Sequence, residues 1–99
     1  MRVHWTETAL AHLDGIYESI ARDSEHYARR IVDRLTRRSR QIGSFPQSGR
    51  RVPEYDMKQI REVIEGSYRI IYHIKSARID ILAVIHGARD ILRLEAENQ

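Results

Sequence analysis

Three residue types suited to cutting a phosphodiester gather in the second half of the chain: Glu54 and Glu62, Arg61 and Arg69, and His86. Cleaving RNA takes a base for the 2′-hydroxyl, an acid for the leaving oxygen and cations for the charge of the phosphorane. Glutamate, histidine and arginine fill those roles without a metal. His86 stands in Val84-Ile85-His86-Gly87-Ala88-Arg89-Asp90, where an apolar run ends, a glycine follows and an Arg-Asp pair comes next. Each of these residues also has an ordinary structural use. A histidine closing a strand is common, and Glu62 with Arg69 makes a cross-strand ion pair as readily as a site.

Other chemistries find less support. Without cysteine the chain has no thiol nucleophile and no disulfide. The five histidines, His4, His12, His26, His73 and His86, are scattered, so no metal site is expected. A phosphate-binding Gly-rich loop, a GxSxG elbow and an HExxH helix are all missing, and no cofactor is expected. Tyr55, Tyr68 and Tyr72 could stack on bases, although the strand pattern turns Tyr68 and Tyr72 toward the core.

At 99 residues the chain reads as one domain, hiding roughly 65% of the surface its unfolded form exposes. Its 41% hydrophobic and 31% charged content is that of a soluble globular protein. No apolar run is long enough for a membrane span and no signal peptide is visible, so a cytoplasmic location is expected. The net charge of +3 is unevenly spread. Between His26 and Arg51 eight arginines face one acid, Asp33, giving +7 and leaving −4 for the remainder. Such a stripe suits a phosphate backbone or an acidic protein partner, or is a solvated helix face. Arg34, Arg37 and Arg38 are its central members.

The periodicity predicts the elements that hold these residues. Arg2 to Trp5 reads as a strand. A helix capped by Thr6 runs to about Arg22, and a second, starting at Asp23-Ser24, carries Ala28, Ile31, Val32, Leu35 and Ile42 toward Gly43. So short a turn makes the two an antiparallel hairpin that needs a sheet to cover it. Ser44 to Asp56 is a loop, with Phe45 and Val52 placed to pin it. Met57 to Ile64, Tyr68 to Ile74 and Ile79 to His86 then form an antiparallel meander, and Ala88 to Glu95 is a short helix or tail.

A four-residue turn over Lys75 to Arg78 sets the register: Ile74 opposite Ile79, Tyr72 opposite Ile81, Ile70 opposite Ala83 and Tyr68 opposite Ile85, all facing the helices. Arg69, Ile71 and His73, with Asp80, Leu82, Val84 and His86, then share the other face, with Ser67 opposite His86. That mixed face is the natural place for a ligand or a partner peptide. Gly87 reads as the residue that releases the chain from the sheet, a step that a positive φ would ease.

This order of elements, with Pro46-Gln47-Ser48-Gly49-Arg50, Arg61-Glu62-Val63, Tyr68-Arg69-Ile70-Ile71-Tyr72 and His86-Gly87-Ala88-Arg89-Asp90, resembles the RelE/ParE superfamily of toxins from bacterial type II toxin–antitoxin modules. The resemblance covers Trp5 to about Asp90 and implies an α+β fold. Its RelE-like branch consists of ribosome-dependent mRNA endoribonucleases. Its ParE-like branch blocks DNA gyrase, which stops replication, as plasmid-stabilising modules do. The nuclease branch usually supplies several lysines and arginines around the sheet and an aromatic residue close behind the last strand, often a tyrosine involved in catalysis. Here Gly87 follows His86, no tyrosine comes after Tyr72, and the lysines are Lys58 and Lys75. The ParE-like pattern fits better. It implies a gyrase-binding poison that need not catalyse anything; the alternative is a metal-independent endoribonuclease using Arg61, Arg69 and His86. It further implies neutralisation by a ParD-like antitoxin with an acidic C-terminal segment, and operator DNA bound only through that antitoxin. Arg34, Arg37, Arg38, Arg89 and Arg93 become the candidates for partner contact.

Overall fold

The computed structural model describes residues 1–87. The tail expected over Ala88 to Glu95, with Arg89 and Arg93, lies outside the described residues. The observed order is β1 (Arg2–Trp5), α1 (Glu7–Ala21), α2 (Glu25–Ser44), a 3₁₀ turn at Pro46–Ser48, β2 (Arg50–Arg51), β3 (Ile60–Glu65), β4 (Tyr68–Ile74) and β5 (Arg78–His86). The fold is α+β, as the periodicity predicts.

Both helices start where a hydroxyl can take over an orphan amide. Thr6 Oγ1 accepts from the Ala9 N–H at 3.2 Å and Ser24 Oγ from the Tyr27 N–H at 3.1 Å, each cap contributing about 1 kcal/mol. Thr6 Oγ1 also donates to the Ile81 carbonyl at 2.7 Å, which ties the start of α1 to the sheet. Along α2 the buried positions are Ala28, Ile31, Leu35, Ser39, Ile42 and Gly43, the first five separated by steps of three, four, four and three that make one stripe. The arginines between them face outward.

The sheet has the order β1-β5-β4-β3-β2. Two of its strands go beyond the expected meander. β1 pairs parallel with β5, Arg2 with Arg78 through Trp5 with Ile81. The two-residue β2 joins the far edge, Arg50 opposite Glu62 and Arg51 opposite Arg61.

The β4–β5 register departs from the expected one half-way along. Ile74 faces Ile79, His73 faces Asp80 and Tyr72 faces Ile81, as the turn predicts; beyond a bulge Ile71 faces Ala83, Ile70 faces Val84, Arg69 faces Ile85 and Tyr68 faces His86. Leu82 is the extra residue. The bulge falls where β1 stops: Trp5 is the last residue paired with β5, and the Thr6 N–H bonds the Ile81 carbonyl as the chain turns into α1. Past that point the His12 imidazole takes over, accepting the Val84 N–H on Nδ1 at 3.2 Å.

One extra residue exchanges the two faces of everything after it. Val84 joins Ile70, Tyr72, Ile79 and Ile81 under the helices. Ala83 and Ile85 go instead to the outer face, where they pack with Ile60, Ile71 and Val52. The outer face is therefore not the open mixed surface expected. The loop covers it through Val52, which is buried, and Tyr55, while Phe45 stays exposed. Gly66 in the β3–β4 turn, at φ 59°, is the one described residue with positive φ; Gly87 leaves β5 without it.

Candidate functional site

Glu62, opposite Ile71 on β3, points away from the helices. Its Oε1 accepts from Arg50 Nε at 2.7 Å and its Oε2 from Arg69 Nε at 2.7 Å. The terminal nitrogens of Arg69 reach on to Glu54, at 3.2 Å from Oε1 and 3.3 Å from Oε2. Glu62 is 1% exposed and Arg69 7%. The hydrogen bond from Arg69 holds the Glu54 carboxyl below its usual range, against the opposing effect of burial. Burial works against the charge on Arg69, but its bonds to Glu54 and Glu62 prevail and raise its pKa. A carboxylate with both oxygens held by guanidiniums, and closed to solvent, is poorly placed to take a proton from an incoming hydroxyl.

Arg61 points to the opposite side, opposite Tyr72, and donates from Nη1 to the Gly49 carbonyl at 2.9 Å. Tyr72 completes a latch. Its hydroxyl donates to the Pro46 carbonyl at 2.7 Å and accepts the Gly49 N–H at 3.0 Å. A β-carbon at Gly49 would run into that hydroxyl and lie 2.7 Å from the Glu62 carbonyl, so the 46–50 stretch needs glycine there. Burial raises the pKa of the phenol, keeping it a donor.

His86, at the end of β5, is exposed and meets the Tyr68 ring edge-on, with centroids 5.5 Å apart and planes at 84°. Together they divide two hollows between the helices and the sheet. One, of about 220 Å³, is lined by Ile20, Tyr27, Ile31, Leu35, Tyr68 and His86 and closed at its rim by Arg34 and Glu65, an ion pair at 2.9 Å. The other, about 360 Å³, lies between His12, Gly15 and Ile16 of α1 and Val84 and Ile85. They form an apolar trough along the helical hairpin. Beside it Arg34, Arg37 and Arg38 flank a further shallow hollow on α2. Arg37 is exposed, whereas Arg38 is half-buried and donates to Gln41 Oε1 at 3.1 Å.

Residues 3–91 match the family of ParE toxins of the type II toxin–antitoxin system parDE. The chain belongs to that family. It is 34% identical over 88 residues to the candidate toxin Y4kP of Sinorhizobium fredii (strain NBRC 101917 / NGR234), covering 87% of this chain and 88% of that one. Its fold is similar to a chain of the chromosomal ParDE TA system from P. aeruginosa, with a TM-score of 0.73 at 21% identity over 87% of this chain and 95% of the other. A YoeB/ParE toxin from Agrobacterium tumefaciens superposes with a TM-score of 0.60 at 18% identity, over 87% and 98% of the two chains. The chain is thus a toxin of the RelE/ParE superfamily, the toxin component of a type II toxin–antitoxin module.

The toxin does not bring the three nuclease candidates together. Arg69 is on the outer face with Glu62, Arg61 on the helix side beside the 46–50 loop, and His86 on the helix side at the opposite end of β4. Among the described residues no group of three or more His, Asp or Glu side chains could hold a metal, and no helix is long and apolar enough to cross a membrane. Two residues that position the toxin's surfaces escaped sequence reasoning. Tyr72 was legible as a core or base-stacking ring and not as a hydroxyl donor, though a tyrosine strand facing a Pro-Gly loop is a signal for such a latch. His12 gave no signal, because its partner is a backbone amide exposed by the bulge.

Proposed function

We propose that this toxin acts by binding rather than by cutting: it engages DNA gyrase, stabilises the cleaved-DNA complex and so blocks replication. The observation that supports this reading is the division of Arg69 and His86 between opposite faces, with Glu62 spent on two arginines. A ribonuclease needs its base, acid and cations around one phosphate. A binding poison needs only surfaces.

We further propose a ParD-like antitoxin as the cognate partner, an acidic segment of which lays apolar side chains into the trough between Tyr27, Ile31 and Tyr68. Arg34 and Arg37 at the rim supply the complementary charge. Purified toxin should inhibit gyrase supercoiling at low salt and leave mRNA intact on translating ribosomes, and His86→Ala should keep most of the toxicity. Site-specific mRNA cleavage with no effect on gyrase, abolished by His86→Ala in a folded protein, would overturn the reading in favour of the endoribonuclease.

A further inference from the structure

The buried stripe of α2 has a counterpart on the solvent side. His26, Arg30, Asp33, Arg37 and Arg40 follow one another at steps of four, three, four and three, the period that sets one face of a helix, and all five are exposed. Arg29 and Arg34, also exposed, flank them. Arg34 is paired with Glu65 at 2.9 Å. Arg29, Arg30, Arg37 and Arg40 make no ion pair among the described residues, with Asp33 or with any other acid.

The sheet treats its arginines differently: Arg50 and Arg69 have Glu62, Arg51 has Asp56 and Arg78 has Asp80. On α2 like charges stand three and four residues apart instead, Arg30 with Arg34, Arg34 with Arg37 and Arg37 with Arg40, an arrangement that repels. The face also lacks what a protein partner takes hold of. Of the exposed large apolar side chains among the described residues, Tyr27 is the one on α2, and it belongs to the trough. A protein interface is built on an apolar core with its charges kept to the rim, whereas a DNA interface is polar and strongly positive.

The spacing selects the form of the polyanion. At the rise of an α-helix, Arg37 lies about 10 Å and Arg40 about 15 Å along the axis from Arg30. Those separations bracket the roughly 12 Å width of the B-form major groove, so the two ends of the stripe reach phosphates on both of its edges. The major groove of A-form RNA is deep and narrow and offers no such match. We infer that the solvent face of α2 docks on the phosphate backbone of duplex DNA, with Arg29 and Arg30 on one edge of the major groove and Arg37 and Arg40 on the other. The toxin's own residues make this contact, which sets it apart from operator binding through an antitoxin. It is independent of DNA sequence, since phosphates carry none, and independent of the gyrase reading, since it needs DNA alone.

Fluorescence anisotropy of a labelled DNA duplex of arbitrary sequence, titrated with the full chain at a series of KCl concentrations, tests the surface. Contact with about four phosphates gives a log–log salt slope of about −3.6, roughly a 150-fold loss of affinity for a fourfold rise in salt. Arg37→Gln and Arg40→Gln should each reduce the size of that slope by about 0.9, and together by about 1.8. Neither breaks an internal ion pair and each relieves repulsion along the helix, so melting temperature should not fall, which keeps folding out of the result. Arg2→Gln removes an exposed arginine from β1 and should leave the slope as it is. A duplex that stays unbound at low salt overturns the surface, as does a slope that the α2 substitutions leave unchanged or that Arg2→Gln reduces equally. An RNA duplex of the same sequence held as tightly as the DNA would assign the stripe to A-form nucleic acid. Displacement of the duplex by polyglutamate at equal concentration of charge would assign it to an acidic protein, and either result overturns the DNA contact.

Discussion

Arg69 and His86 face opposite sides of the sheet, although His86 lies directly across from Tyr68, the residue next to Arg69. In an unbroken antiparallel pair the alternation would have put them together, as Ser67 opposite His86 implies. Leu82 prevents it. The extra residue lets Leu82 and Ala83 both serve the outer face, and from there on the parity of β5 is reversed. The outer arginine is left to the Glu62 network, and the histidine to the apolar trough beneath the helices. A single insertion in one strand thus divides the surfaces of the toxin into a closed ionic face and an open apolar one.

Removing one partner from the buried ion network should cost far more than removing both. Arg69→Ala leaves Glu62 in a solvent-free position with only Arg50, whose side chain is 66% exposed, and breaking a buried pair in this way costs about 3–5 kcal/mol. The double substitution Glu62→Leu with Arg69→Met removes the unpaired charge and should recover most of that loss. Urea denaturation of the three proteins measures it; equal losses in the single and double variants would show that the network is worth no more than its packing.

The latch at Tyr72 makes a sharper pair of expectations. Tyr72→Phe keeps the ring but leaves the Gly49 N–H and the Pro46 carbonyl without their partner, at a cost of about 1–3 kcal/mol. Gly49→Ala drives a methyl group against the hydroxyl and the Glu62 carbonyl, a cost of roughly 1–3 kcal/mol by overpacking. The two act on one contact, so their effects should not add. A double-mutant cycle in denaturant checks this, and simple additivity would refute the contact as described.

Much of this architecture could be read from the sequence, and the parts that could not have identifiable causes. Thr6 and Ser24 announce both helices because capping is local chemistry. The stripe from Ala28 to Ile42 announces the buried face of α2 because its period is fixed by the helix. The bulge leaves no such mark: Ile81, Leu82, Ala83, Val84 and Ile85 are all apolar, so either parity buries the same kind of side chain. The parallel pairing of β1 with β5 joins residues 76 apart in sequence, Arg2 with Arg78, and is decided by packing alone. β2 is too short to show a period at all. The nuclease set was legible as residue types, whereas its dispersal depended on the bulge and on the edge strand that holds Arg50 against Glu62.

Acid should loosen the outer face in a defined order of charge. Lys75 holds the Asp80 carboxyl below its usual range, against its burial and with help from Arg78, and the bond from Arg69 likewise lowers Glu54. Each folded pKa lies below the unfolded one. The stability they contribute is therefore fully present above the ordinary carboxylate range, about pH 4, and is lost as pH falls through the lower folded values. Melting temperature should be flat from about pH 7 to pH 5 as far as these groups are concerned, then fall. Asp80→Asn should start lower and fall less steeply; a slope identical to that of the unsubstituted toxin would remove Asp80 from the account.

The rim of the trough offers the last test, and it concerns the partner. Arg37 is exposed and makes no ion pair among the described residues, so reversing its charge disturbs no internal contact. Arg34 is less clean, because Arg34→Glu also breaks the pair with Glu65. If an acidic antitoxin segment runs along α2, Arg37→Glu should slow association by about tenfold at low ionic strength, and by much less in concentrated salt, where the Debye length shrinks to about 3 Å. Dissociation should change little, since a rim charge steers encounter while the apolar side chains in the trough set residence. Tyr68→Ala, which removes the wall between the two hollows, should do the opposite and raise the dissociation rate with little dependence on salt. Stopped-flow measurements of both variants against a cognate antitoxin, at two salt concentrations, separate the two contributions. Association rates that ignore Arg37→Glu at every salt concentration would place the antitoxin away from this face of α2.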